Sequence, residues 1–318
     1  MEHKTVVWTV GATLVVATFL WLAAEVVDRP QIYLPTRVQI YGESLFFTLP
    51  KFNNENGFSL AQSTSSGLSP FPSYKAHKNG TIVNAVDIYL DSNGSLWVLD
   101  SGIIDTFQKS IKKGPPKVVR LDADSGNILK EINMTDLVMG KAQYLIVDEG
   151  TKGPKYLYIS DGPARSIVVW NVAKNKGHVV LLPKIVKKRK GFNVLYAALI
   201  DKKLYLTYFG ANELFYLKTS GLLENGRVVR VGLKDPRMVM LGTRNHEIIF
   251  RLAGKEEILA WDTRTKLTEE NLKIVGKSKP GMSPMTVVHG YGKLWLLESN
   301  LKSFLNGSQT EHNFRLLD

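Results

Sequence analysis

The 318-residue chain contains no cysteine. Disulfides, thiol nucleophiles and thiolate metal centres are thereby excluded; the compartment stays open, because a core of this size needs no covalent staples. Histidine is sparse too. His3, His77, His178, His246, His289 and His312 show no H-x-H or H-E-x-x-H spacing, which argues against a zinc hydrolase. The chain has no G-x-S-x-G elbow, no phosphate loop and no dinucleotide fingerprint. Acidic residues are in deficit: 29 Asp and Glu stand against 41 Lys and Arg, a formal net charge of +12. Such a surface attracts anions. Its densest basic cluster, Lys184 to Lys190 (K-I-V-K-K-R-K), lies between apolar runs without interleaved aromatic residues. It reads as a solvated loop rather than a nucleic-acid surface.

Long apolar runs are missing with one exception. Thr5 to Ala24 carries no charge until Glu25. About twenty such residues can span a bilayer, whereas the core of a cleaved signal runs to roughly 7–15. Leu22 is a poor residue for a cleavage site after Ala24. Residues 1–27 therefore read as a signal peptide or a signal anchor, and both send residues 28–318 into the secretory pathway. A membrane enters only through that segment if it is uncleaved. The sequons at Asn79, Asn93, Asn133 and Asn306 agree with that route as glycosylation sites.

What the chain has in abundance is one motif. Asn93 to Gly102 reads N-G-S-L-W-V-L-D-S-G: a two-residue turn, an apolar strand, an acid and a second turn. Related runs begin at Leu45, Leu157, Leu204, Ile248 and Leu294. The second residues of the six copies fall at 46, 97, 158, 205, 249 and 295, so the intervals are 51, 61, 47, 44 and 46. A strand-rich period of roughly 40–50 residues marks a β-propeller with four strands per blade. An apolar segment precedes most copies (82–89, 142–148, 192–200, 238–242, 282–288) and a hairpin follows. In the second blade that hairpin is 117–121 with 128–132. The first copy is preceded by Arg37–Tyr41, and the last is followed by a single strand, 313–317. The expectation is an all-β, six-bladed propeller in one domain, with one blade completed by both chain ends to close the ring. Trp97, Tyr158, Tyr205 and Trp295 are expected to pack between blades.

Several stretches resemble the yellow/major royal jelly proteins of insects. They are L-W-V-L-D-S-G at 96–102, L-F-F-T-L-P-K-F at 45–52, G-A-N-E-L-F-Y-L-K-T-S-G-L at 210–222, I-L-A-W-D at 258–262, K-L-W-L-L-E-S-N at 293–300 and N-F-R-L-L at 313–317. The resemblance runs from about Arg37 to Leu317. It implies a secreted six-bladed propeller with a central tunnel, and activities that include dopachrome conversion in melanin formation, binding of biogenic amines, and nutritive or structural roles. Family members usually carry disulfide cysteines, one of them just before the Leu-Trp-Val-Leu-Asp motif. Here that region reads V-D-I-Y-L-D.

Propeller ligands approach the axis at one face, so the candidate binding residues are those leaving the motif strands: Asp100, Asp161, Tyr208, Phe209, Asn212, Glu298 and Asn300. Carboxylates would pair with an ammonium and rings would hold a catechol or indole, which together suit serotonin or dopamine. An acid at a strand exit also serves as a turn former, accepting backbone N–H bonds. Carboxylates clustered at an axis could hold calcium, but no metal and no cofactor is expected. Three readings follow: a binding protein for a small aromatic amine, an enzyme that tautomerises dopachrome using a base over the ring, and a structural or storage protein without a small-molecule site.

Overall fold

The computed structural model describes residues 33–317 apart from 53–56, 66, 107–108, 221 and 223–226. The proposed signal or anchor, residues 1–27, lies outside the described residues. Six antiparallel sheets, each drawn from one contiguous stretch of chain, are arranged around an axis. Blade 1 comprises Arg37–Tyr41, Ser44–Thr48, Leu60–Thr64 and Gly67–Pro70. Blade 2 comprises Ala85–Leu90, Ser95–Asp100, Lys117–Asp122 and Ile128–Asn133. Blade 3 runs from Ala142 to Leu181, blade 4 from Leu195 to Leu233, and blade 5 from Met238 to Lys277, each with four strands. Blade 6 has three described strands, Ser283–Gly290, Lys293–Ser299 and His312–Leu316. Among the described residues no helix is long and apolar enough to cross a membrane.

In every blade the first strand is innermost and the motif strand lies second. The centres of the motif strands are mostly apolar because both of their faces are covered: Leu96, Trp97, Val98 and Leu99 are all fully buried. Alternate residues then feed the two blade interfaces. Trp97 and Leu99 pack towards blade 3, while Leu96 and Val98 pack towards blade 1. Six hydrophobic clusters result, one per interface. Tyr158, Tyr205 and Trp295 occupy the equivalent packing positions. The long interval between the second and third copies is filled by an extra hairpin, Ile103–Ile104 with Ile111–Lys112.

The ring closes where the two ends of the propeller meet, blade 1 packing side by side with blade 6; among the described residues no sheet mixes strands from both ends, and blade 6 shows three strands. Val38, Leu45 and Phe47 meet Val288, Trp295 and Phe314 in one cluster. Arg37 Nη1 donates to the Met285 carbonyl at 2.9 Å, and the Tyr291 hydroxyl donates to the Gly42 carbonyl. Blade 1 has its own two outer strands, at 60–64 and 67–70.

Candidate functional site

The innermost strands surround an axial channel made of two cavities. The upper one, about 280 Å³, lies at the starts of these strands, on the face where the motif strands end. The lower one, about 490 Å³, lies towards their other ends. Arg37, Tyr144, Tyr196 and Met240 border both cavities and so form the partition between them. Arg37 Nε sits 3.2 Å from Asp87 Oδ1, and its guanidinium stacks over the Tyr144 ring at 5.1 Å. Asp87 is further held by the backbone N–H of Ile88 at 3.0 Å and of Leu145 at 2.8 Å. The Tyr144 and Tyr196 rings lie 5.3 Å apart. Burial keeps both phenols protonated, with their pKa values raised above the ordinary 10. A charged pair inside the channel is tolerated because its members satisfy each other and the backbone.

The upper chamber adds two more cations. Arg251 reaches in from blade 5 and anchors its Nε on the Pro284 carbonyl at 2.9 Å. Lys141 lines the chamber just before the inner strand of blade 3, and burial lowers its pKa. Neither has a carboxylate partner among the described residues. Phe52, Thr106 and Leu301 complete the rim from loops that follow motif strands. The chamber is thus aromatic on one wall and electropositive beside it.

None of the seven residues singled out from the sequence lines either cavity. The three acids are instead committed to one repeated structural task. Asp100 accepts the backbone N–H groups of Val83, Asn84 and Gly102 at 2.7, 2.8 and 2.9 Å. Asp161 accepts those of Gly140, Lys141 and Ala164 at 2.7, 2.9 and 3.2 Å. Glu298 accepts from Lys279 N, Asn313 Nδ2 and Arg315 Nε. Each acid therefore ties the incoming segment of its own blade to the end of the motif strand. Asn84 and Lys141, positioned in this way by Asp100 and Asp161, do line the chamber. Tyr208 is fully buried, and its hydroxyl donates to the Gly162 carbonyl at 2.7 Å. Phe209 packs edge-on against Phe192 at 5.3 Å. Asn212 is exposed, with its carbonyl accepting from Lys234 N. Asn300 closes a turn through Gln309 and Glu311.

The residues that do face the axis were missed. A signal for them existed: Arg37 and Asp87 are charges inside strands otherwise suited to a core, and Arg251 interrupts an apolar motif copy. Among the described residues no group of three or more His, Asp or Glu side chains could hold a metal ion. The four sequon asparagines are all exposed.

A family model described as Major royal jelly protein matches residues 83–318, about three quarters of the chain. The chain belongs to this family. Among curated relatives, major royal jelly protein 8 of Apis mellifera is 20% identical over 87% of this chain and 80% of its own length. Major royal jelly protein 1 of the same bee is 21% identical over 77% of this chain and 65% of its own. A dopaminechrome tautomerase of Drosophila melanogaster is 23% identical over 46% of this chain and 35% of its own length. Among solved structures, virginiamycin B lyase from Staphylococcus aureus superposes with a TM-score of 0.52 at 16% identity, covering 90% of this chain and 85% of that one. At that identity the likeness speaks for the fold alone.

Proposed function

We propose that this propeller binds a small planar aromatic molecule carrying an acidic group in the upper chamber of its axial channel. The observation that carries the reading is the pair of cations without carboxylate partners, Arg251 and Lys141, in the same chamber as the Tyr144–Tyr196 pair. A ring stacks against the tyrosines, and its acidic substituent takes the guanidinium and ammonium. The volume, about 280 Å³, is near the small end of ligand pockets. An amine such as serotonin or dopamine fits the same rings, but its ammonium finds no free carboxylate among the described residues of the chamber. Asp100, Asp161 and Glu298 are saturated by scaffold bonds, and Asp87 is held by Arg37.

A second reading, tautomerisation of an aminochrome, is favoured by Lys141. Burial lowers its pKa, which raises the neutral fraction able to remove a proton from a ring carbon. The partial similarity to a dopaminechrome tautomerase points the same way. The apolar segment Thr5–Ala24 supports entry into the secretory pathway, as a secreted or a membrane-anchored protein, and the exposed sequons fit a glycoprotein.

Calorimetric titration with 5-hydroxyindole-2-carboxylate and with serotonin tests the binding reading, because the two share a ring and differ in charge. Preferential binding of the acid is the expected result. A preference for serotonin restores the amine reading, and no heat from either supports a structural or storage role. Dopachrome absorbance decay tests the second reading; a rate equal to the buffer blank removes it.

A further inference from the structure

The loop between blades 3 and 4 carries a feature that the channel chemistry does not use. Lys184, Lys187, Lys188, Arg189 and Lys190 are all exposed. No acidic residue occurs between Asp161 and Asp201, and none of the five basic side chains pairs with a carboxylate among the described residues. An ordinary solvated surface intersperses both signs of charge.

The loop is also held in place. Val186, only 1% exposed, plugs into the core between blades 3 and 4. Arg165 Nη2 lies within hydrogen-bonding distance of the carbonyls of Leu182, Pro183 and Val186 at 3.4, 2.9 and 3.4 Å. Turns from Pro183 to Val186 and from Arg189 to Phe192 fix the chain between these anchors, and Lys188 Nζ reaches the Pro163 carbonyl at 3.2 Å. At its far end Gln143, a wall residue of the upper chamber, bonds Asn193 O at 2.9 Å and Leu195 N at 3.0 Å. The cations are therefore presented on a fixed backbone at the rim of the channel mouth, so less ordering entropy opposes binding than in a free loop.

From these observations we infer that the Lys184–Lys190 loop is a docking surface for a linear sulfated polysaccharide. Polyanions of several kinds answer to clustered Lys and Arg, and the surroundings of the loop separate them. Single-stranded nucleic acid wants a succession of aromatic faces for its bases; a single ring, Phe192, lies beside the cluster, and it packs edge-on against Phe209. A membrane surface wants a contiguous wedge of apolar side chains; the exposed ones here, Leu181, Ile185 and Phe192, are separated along the loop by the basic residues and Pro183. Sulfate groups spaced along a stiff chain need only fixed cations in a row. The proposal does not depend on what occupies the channel.

The test uses the whole protein and a heparin-derived decasaccharide as probe. Lys187, Arg189 and Lys190 are replaced together by Ser, and a control replaces exposed Lys152, Lys174 and Lys273, giving the same net charge. Lys188 is kept because it bonds Pro163. The wild type is expected to bind at 150 mM salt. The loop variant should lose at least tenfold in affinity, and its log–log salt slope should fall by roughly three units, about one per cation. The control should change less than threefold. Equal loss in both variants, no binding by the wild type, or equally tight binding of anionic vesicles or single-stranded DNA overturns the assignment. The replaced side chains are exposed, so unchanged melting temperatures separate loss of docking from loss of fold.

Discussion

Asp100 is a charge enclosed at the end of a strand, and three backbone N–H groups make that possible. Asn in its place offers one acceptor oxygen and turns an NH₂ group towards donors. Asp100→Asn is therefore expected to cost about 2–4 kcal/mol, since buried unsatisfied donors cost roughly 1–3 kcal/mol each. Urea unfolding measures this, and an unchanged midpoint would refute the clamp. His77 supplies a pH dependence of predictable sign. It is buried with Nε2–H donating to the Phe71 carbonyl at 3.0 Å, and burial pushes its pKa from 6.5 down to about 4. Between those values the unfolded chain binds a proton that the folded chain refuses. Its contribution is therefore complete above about pH 6.5 and is lost as pH falls towards 4, by at most about 1.4 kcal/mol per pH unit. Melting curves across pH 4–7 should show this slope, and His77→Gln should flatten it.

The blade is the element the sequence describes best, and the motif strand shows why. Trp97 is fully buried, donates Nε1–H to Asp91 Oδ2 at 2.8 Å and lies under the Arg120 guanidinium at 5.1 Å. Asp91 in turn accepts the N–H groups of Asn93 and Ser95, so the turn and the strand are locked together. Trp97→Ala should cost about 3–5 kcal/mol; a loss below 1 kcal/mol in urea would contradict this placement. Such a unit has to recur in every blade, which made its period readable. The outer strands of blade 1 are not readable, because L-A-Q-S-T buries only Leu60 and Ala61, G-L-S-P buries none, and neither alternates. Gly162 is a quieter constraint between blades 3 and 4. A Cβ there would sit 1.9 Å from the Asn193 carbonyl oxygen, so nothing larger than glycine fits where the Tyr208 hydroxyl also docks. Gly162→Ala should destabilise by about 1–3 kcal/mol through overpacking, and a melting temperature equal to wild type would count against so close an approach.

On the scale of the whole molecule, function depends on what six separate strands place on one axis, and periodicity does not report that. The acids at the motif-strand ends recur because blades 2, 3 and 6 each use one to tie down the incoming segment. Arg37, Tyr144, Tyr196 and Arg251 come from four different blades and follow no spacing. Only the ring brings them together. The family resemblance pointed to the tunnel without indicating which side chains would line it. Charge is what separates the candidate ligands there, because Asp87 is paired with Arg37 at the partition, while Arg251 and Lys141 line the upper chamber with no carboxylate partner among the described residues.

The most direct test is the matched titration with 5-hydroxyindole-2-carboxylate and serotonin, carried out on the wild type and on Arg251→Gln, with melting curves to confirm that both are folded. A hydrogen bond to a charged group contributes about 1.5–3 kcal/mol, and 1.4 kcal/mol is tenfold in affinity. The wild type should therefore prefer the acid by at least tenfold. In Arg251→Gln the preference should shrink to within about threefold, with the affinity for serotonin unchanged. A wild type that prefers serotonin, or a preference for the acid that survives the loss of Arg251, would contradict the account.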